Sequence, residues 1–317
     1  MSDSISTPAP SAAPSANDAS GILSIAICTH NRAKDTLECV DRLLPQLAMT
    51  KAELVVVDSA SNPQESAVLR EGLLVRPPAR LLRLEKAGLS EARNLAISET
   101  SGEWIAYLDD DAVPASDWLT NILETLKVAP DNCGAIGGQL LPVYPPGSVP
   151  AIGRRWKMYL SLNETSGERD CTERFELIGA NSCFRRKALD QIGSFPLDLG
   201  RYGGNLLSGE DVWVMWRLKK AGWRMRYDSR FSAGHKIPRE RLVFDWVKSR
   251  AYWEGVTTVR MNRLLQQPGK MRLIGKALLA APVLLLASLV DTPQNEWKLR
   301  LWFDLGVIVE GFGFGPK

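Results

Sequence analysis

Hydrophobic positions in this chain form short apolar runs that alternate with stretches of helical spacing. The run I-L-S-I-A-I-C (22–28) is continuous enough for a strand buried on both faces. After it, Ala33, Leu37, Val40, Leu44 and Leu47 recur every three or four residues, as on one face of a helix. E-L-V-V-V-D (53–58) predicts a second buried strand, R-L-L-R-L-E (80–85) a third, and E-W-I-A-Y-L-D (103–109) a fourth. G-L-S-E-A-R-N-L-A-I (88–97) reads as a helix with Ser90 at its N-cap, and another helix is expected from about Ser116. Strands separated by helical patterns imply a parallel, doubly wound sheet, whose ligands bind at the carboxyl ends of the strands. Thr29–Arg32, Asp58–Ser59 and Asp109–Asp111 should therefore meet.

The rest of the chain is less regular. Residues 1–20 are an expected disordered tail, with 14 of 20 positions Ser, Ala or Pro and no apolar run to bury. They also lack the basic start and apolar centre of a secretory signal, so cytoplasmic residence is the default. The proline-rich 141–150 reads as a surface loop or edge. A strand-like region near 175–184 leads to a glycine-rich stretch at 200–209. A helix then starts at Glu210, where Val212, Met215, Trp216 and Lys219 have helical spacing, and W-R-M-R-Y (223–227) suggests another strand. No internal repeat is found.

With 317 residues, 45% of them hydrophobic and 24% charged, the chain is neither disordered as a whole nor collagen-like nor a coiled coil. Cys28, Cys39, Cys133, Cys171 and Cys183 are odd in number and contain no C-x-x-C, which argues against a disulfide framework or a zinc site. With only His30 and His235 available, a metal would have to rely on carboxylates.

Three places carry candidate chemistry. Asp109-Asp110-Asp111 ends the best-defined strand, and three adjacent carboxylates are costly unless a cation or solvent relieves them. A solvated turn capping the next helix is the bland alternative; a divalent ion with open positions for phosphate oxygens is the functional one. S-G-E-D-V-W (208–213) places Glu210 and Asp211 in a first helical turn. There they either complement the helix dipole or supply a general base. His235, after a predicted strand, is either structural or a neutral-imidazole metal ligand.

Taken in order, these segments resemble the family 2 glycosyltransferases of the GT-A fold. The resemblance rests on S-I-A-I-C-T-H-N-R (24–32), V-V-V-D-S (55–59), K-A-G-L-S-E-A-R-N-L-A (86–96) and Y-L-D-D-D (107–111). It continues through G-A-N-S-C-F-R-R-K-A-L (179–189), G-G-N-L-L-S-G-E-D (203–211) and A-G-H-K-I-P-R-E-R-L (233–242). It implies a Rossmann-like, doubly wound mixed sheet in an α/β domain over 21–255; residues 256–317 lie outside the resemblance and are expected to form a helical segment. It also implies an inverting transfer of sugar from a nucleotide sugar, UDP-sugar in the commonest case, to a lipid-linked or saccharide acceptor.

In that frame Thr29, Arg32 and Asp58 hold the base, with Arg93 and Asn94 nearby. Asp109 approaches the ribose, and Asp111 binds Mg²⁺ or Mn²⁺ on the diphosphate with His235 close by. Gly179 and Asn181 border the transferred sugar; Asp211 is the general base and Glu210 its neighbour. The chain departs from the pattern in Asp110, which leaves open which acid of the three holds the metal, and in Trp213, where a polar residue is expected. A sugar-phosphate nucleotidyltransferase is the alternative enzyme, but C-T-H-N-R lacks the glycines of its phosphate loop. A membrane-associated binding protein with an inactive transferase domain is the non-enzymatic alternative.

Charge changes the picture of the C-terminal third. The net charge is +3, yet residues 217–276 hold 16 Lys/Arg against four acids, so this stretch carries +12 and the other 257 residues −9. Beside it, residues 277–290 are uncharged for 14 positions, too short to span a bilayer, and W-F-D-L-G-V-I-V-E-G-F-G-F (302–314) adds a second apolar patch. These apolar residues either pack on the domain or lie in a membrane interface; basic residues beside them favour an anionic membrane surface over nucleic acid, and the expectation is a peripheral location on the inner face of the cell membrane.

Overall fold

The structure, a computed structural model, describes residues 21–148, 152–171, 177–202, 204–267, 269–289 and 296–316. The expected tail at 1–20 lies outside them. Among the described residues one mixed sheet of nine strands organises the molecule. Its parallel half consists of β1 (Leu23–Thr29), β2 (Glu53–Ser59), β3 (Arg80–Leu84) and β4 (Trp104–Asp109), in the order β3-β2-β1-β4. The intervening helices are α1 (Ala33–Leu47), α2 (Pro63–Leu74) and α3 (Leu89–Ser98). Side chains alternate across each strand. Leu23, Ile25 and Ile27 therefore pack on α1 and on α4 (Trp118–Lys127), while Ala26, Val55 and Val57 pack toward α3.

The second half makes the sheet mixed, as the resemblance implies. After β5 (Ala112–Pro114) and β6 (Cys133–Val143) come α5 (Arg154–Tyr159), β7 (Glu168–Asp170) and β8 (Asn181–Arg185). Strand β8 inserts between β4 and β6, antiparallel to both. A five-residue buried run looks the same in either direction, so its orientation follows from chain path and not from pattern. Helices α6 (Arg186–Ile192) and α7 (Glu210–Lys220) cover the sheet on the side of α3. The long β9 (Arg224–Lys236) pairs with β6 along one edge and with β5 and β7 along the other. Its last turns matter for function, because Ala112 is opposite His235 and thereby sets that imidazole beside Asp111.

Ser90 is not the cap of α3. Gly88 occupies the N-cap, and the Ser90 hydroxyl donates to the Leu199 carbonyl at 2.9 Å, tying the helix to the later chain. Helix α2 and strand β6 were not legible from pattern; β6 carries three glycines and a proline in 11 residues.

Three more helices follow: α8 (Phe244–Leu264), α9 (Lys270–Ser288) and α10 (Glu296–Gly311). The expected division after residue 255 falls inside α8, so the helical unit begins at Phe244. Helices α8 and α10 approach through Gly255 and Gly306. A Cβ at Gly306 would meet the Tyr252 carbonyl oxygen at 2.0 Å, and one at Gly255 the Phe303 carbonyl oxygen at 2.1 Å. Part of the apolar patch at 302–314 is thus spent on this contact, with Leu299 and Val307 of α10 buried. Gly306→Val must push two backbones apart. It should lower unfolding free energy by at least the ~1–3 kcal/mol usual for overpacking, read by denaturant titration.

Candidate active site

The carboxyl ends of β1, β2 and β4 lie side by side, with Thr29 opposite Asp58 and Cys28 opposite Asp109. Beyond them opens a cleft of about 1060 Å³, at the upper end of single-ligand sites and large enough for two substrates. It is lined by Thr29, Arg32, Arg93, Asp109, Asp110, Asp111, Glu210, Asp211 and His235 among others.

The three aspartates point different ways. Asp110 is buried and turned back into the domain, accepting from Thr29 Oγ1 at 2.8 Å and from Arg32 Nη1 at 3.0 Å. Burial pushes its carboxyl up to about 6; the charges of Asp111 and Asp109 add to this and Arg32 opposes it. Asp111 accepts from Arg32 Nη1 at 2.7 Å through Oδ2, with Arg241 Nη2 3.7 Å away. Burial acts against its charge as well, but His235, Arg32 and Arg241 beside it hold it well below the usual carboxylate range. Asp109 is the most open of the three and lies 3.9 Å from Arg93 Nη2.

Asp109, Asp111 and His235 each offer one ligand atom, and these atoms lie within 4.8 Å of one another. Asp111 Oδ1 is buried without a hydrogen-bond partner, 3.2 Å from His235 Nε2, and His235 Nδ1 is also unpartnered. Buried polar atoms without partners are rare. Two carboxylates and an imidazole that leave such atoms idle fit a divalent cation of the Mg²⁺ or Mn²⁺ kind. Of the three acids, Asp110 is bonded to Thr29 and Arg32, and Asp109 is the one that lies with Asp111 and His235.

On the other wall α7 starts at Gly209, whose φ of 90° sits in the left-handed region that favours glycine. That turn presents Asp211 to the cleft. Its Oδ2 accepts from the Gly179 N–H at 2.8 Å and its Oδ1 from the Val212 N–H at 2.8 Å, which fixes the carboxylate's direction. Glu210 points inward and is buried, its Oε1 2.6 Å from Arg93 Nη1 and its Oε2 unpartnered. Burial raises its carboxyl above the ordinary value, with Arg93 pulling down and Asp211 pushing up. Arg93 therefore joins the two walls. Its guanidinium also lies over the Tyr107 and Phe195 rings, at 5.5 and 5.3 Å.

Four expected residues do not line the cleft. Asp58 is fully buried, accepting from the Ser61 N–H at 2.9 Å and pairing with Arg83. Asn94 exchanges hydrogen bonds with the Phe195 backbone at 2.9 and 2.8 Å. Asn181 is buried, accepting from Trp118 Nε1 at 2.9 Å and donating to the carbonyls of Gln139 and Phe231 at 3.0 Å. Gly179 contributes through its N–H to Asp211. Cys28 does line the cleft, but burial pushes its thiol up to about 12, so it is no nucleophile. Arg201, Arg241 and Arg250 also line it and were not singled out from sequence. Arg241 and Arg250 were hidden in the basic stretch, and Arg201 carries no local signal.

The strand ends of an α/β sheet are where such folds bind their ligands, whatever the chemistry. The family model described as "Glycosyl transferase family 2" matches residues 24–193, and the chain belongs to that family. It is 24% identical over 298 residues to the glucosyl-dolichyl phosphate glucuronosyltransferase of Haloferax volcanii, covering 92% of this chain and 94% of that protein. It is 26% identical over 297 residues to the succinoglycan biosynthesis protein ExoM of Rhizobium meliloti, covering 90% and 91%. In fold it is similar to the mannosyltransferase PcManGT of Pyrobaculum calidifontis, solved with GDP-Man and Mn²⁺. The TM-score is 0.60 at 19% identity, over 91% of this chain and 86% of that one. It is also similar to GalNAc-T7, solved with UDP, GalNAc and Mn²⁺, with a TM-score of 0.51 at 16% identity over 74% and 48%.

Arg93→Ala leaves Glu210 and Asp109 without their shared cation. It should destabilise the fold by about 3–5 kcal/mol, the usual cost of breaking a buried pair from one side. Arg93→Met combined with Glu210→Gln should recover part of that loss in the same denaturation measurement, because no buried charge is then stranded.

Proposed function

We propose that the protein is a metal-dependent, inverting glycosyltransferase that moves a sugar from a nucleotide sugar to a hydroxyl of a lipid-linked or saccharide acceptor. The observation that carries this is one cleft holding the Asp109, Asp111 and His235 group on one side of Arg93 and the backbone-fixed Asp211 on the other. Asp109, Asp111 and His235 would hold Mg²⁺ or Mn²⁺. When bound, such an ion offsets the negative charge that builds on a nucleoside diphosphate as the sugar–phosphate bond breaks. Thr29 and Arg32 border the donor end of the cleft, with Arg32 already fixed by Asp110 and Asp111.

Asp211 accepts one backbone hydrogen bond on each oxygen and keeps lone pairs free for the proton of the incoming hydroxyl. Attack on the face opposite the leaving group inverts the anomeric centre. Mn²⁺ in both structural neighbours supports the metal, and the lipid phosphate in the name of the Haloferax relative supports a lipid-linked acceptor. UDP-sugars are the first donors to test, with GDP-sugars beside them.

The apolar face of α9 supports docking on an anionic membrane surface at the cytoplasmic side. Leu279, Val283 and Leu286 are 81%, 67% and 70% exposed on one stripe, and Arg272 and Lys276 of the same helix are exposed. No helix among the described residues is long and apolar enough to cross a membrane.

Asp211→Asn should abolish transfer, since general-base help is worth about 10²–10⁴-fold, and leave nucleotide affinity by calorimetry nearly unchanged. Retention of more than about a tenth of wild-type transfer would assign the proton to another group. Leu279→Lys with Leu286→Lys should release the protein from phosphatidylglycerol vesicles in cosedimentation; unchanged recovery rejects the docking face.

A further inference from the structure

Three further arginines line the cleft. Arg201 lies in the loop before α7, Arg241 in the 3-10 turn Arg239–Leu242 after β9, and Arg250 on α8. The Arg201 guanidinium has no hydrogen bond or ion pair with any described residue. Arg241 is buried, stacked over Trp246 at 5.7 Å, and its nearest carboxylate is Asp111 at 3.7 Å, beyond direct hydrogen bonding. Arg250 donates to Ser208 Oγ at 2.9 Å and pairs with Glu254 at 2.8 Å. Burial draws Arg201 down to about 10; the charges of Arg241 and Arg250 draw it the same way, and Asp109 opposes them. Like charges gathered around an unpaired guanidinium are costly until an anion enters. Planar guanidinium groups suit phosphate oxygens, which they grip in pairs.

The position selects which phosphate. The metal-ligand group and Arg32 mark the donor diphosphate's end of the cleft, whereas Arg250 is bonded to Ser208, three residues before Asp211. Apolar side chains come from the same loop and the same helix: Leu206 precedes Ser208, and Met261 of α8 lies against Gly209. Met158 and Leu162 add to the apolar lining. Cations set among exposed apolar groups suit a ligand that is both phosphorylated and greasy.

Arg241, 3.7 Å from Asp111, belongs to the metal end of the cleft. We propose that Arg201 and Arg250 bind a phosphate carried by the acceptor, so that the acceptor is a lipid phosphate- or diphosphate-linked sugar and not a free saccharide. This rests on the transfer reaction proposed above and identifies its second substrate.

The test is calorimetry on the full chain with farnesyl phosphate, farnesol and glucose 1-phosphate, each with and without saturating UDP and Mn²⁺. Farnesyl phosphate should bind at least about tenfold more tightly than either of the others, and should still bind when UDP and Mn²⁺ are present. Arg201→Gln should weaken farnesyl phosphate by about tenfold or more and leave UDP affinity within about twofold. Arg201→Lys, which keeps the charge and loses the fork, should fall between. Equal binding of farnesol overturns the phosphate site, and equal binding of glucose 1-phosphate overturns the lipid. A matching loss of UDP affinity in Arg201→Gln, or displacement of farnesyl phosphate by UDP, gives these arginines to the donor and overturns the proposal. If wild-type protein binds no nucleoside diphosphate yet keeps Arg201-dependent farnesyl phosphate binding, the transfer reaction falls and the phosphate site stands.

Discussion

The cleft depends on how buried negative charge at the end of β4 is balanced. Asp110, Asp111 and, a wall away, Glu210 are all nearly out of solvent, and unpaired carboxylates there would protonate or unfold the region. Arg32 answers the first two, and Arg93 answers Glu210 and reaches toward Asp109. These arginines come from the loop after β1 and from α3, so charge balance fixes how the early Rossmann-like units sit against the later α7. The balance is also incomplete, because Asp111 Oδ1, Glu210 Oε2 and His235 Nδ1 remain without partners. A fold that leaves polar atoms idle at its strand ends has kept room for something to arrive.

The parallel half of the fold was legible because its strands are continuous apolar runs and its helices have a clear period. Strands β1 to β4 fall within a residue or two of their expected limits. What escaped detection has specific causes. Strand β6 is broken by glycines, and β8 is too short for its direction to show. The identity of the candidate residues was more legible than their roles. Adjacency in sequence suggested that Asp109, Asp110 and Asp111 act together, yet a turn at the strand end sends Asp110 toward Thr29 and aims its neighbours elsewhere. Asn94 and Asn181 lie in the right segments, but their amides satisfy backbone groups that would otherwise be buried alone. A one-dimensional motif cannot separate a side chain that lines a cavity from one that holds the cavity's wall.

The same distinction applies to charge. Read as a total, the basic excess of residues 217–276 pointed to a membrane face. In three dimensions part of it is answered by acids outside the stretch: Arg226 pairs with Glu168, Arg224 with Asp170, Lys236 with Asp35 and Glu38, and Arg260 and Arg263 with Glu310. Two of the remaining cations, Arg241 and Arg250, turn into the cleft. The membrane argument therefore rests less on net charge than on α9, where leucines and valine are exposed on a helix that buries little besides Ile274, Ala277 and Leu284.

These two destinations of positive charge belong to one physical problem. An acceptor with a hydrocarbon tail cannot leave the bilayer cheaply, since each buried methylene is worth about 0.8 kcal/mol. An enzyme acting on its headgroup must come to the interface and extract only the polar part. In the proposed reaction an apolar helix face at the surface and an arginine-lined cleft around Asp211 would divide that work between them. The helical unit that begins at Phe244 supplies both, because α8 carries Arg250 into the cleft and packs through Gly255 on α10, against which α9 is also seated. A transferase with only a soluble saccharide to meet would need neither the exposed leucines of α9 nor an Arg201 in its cleft that pairs with no described residue.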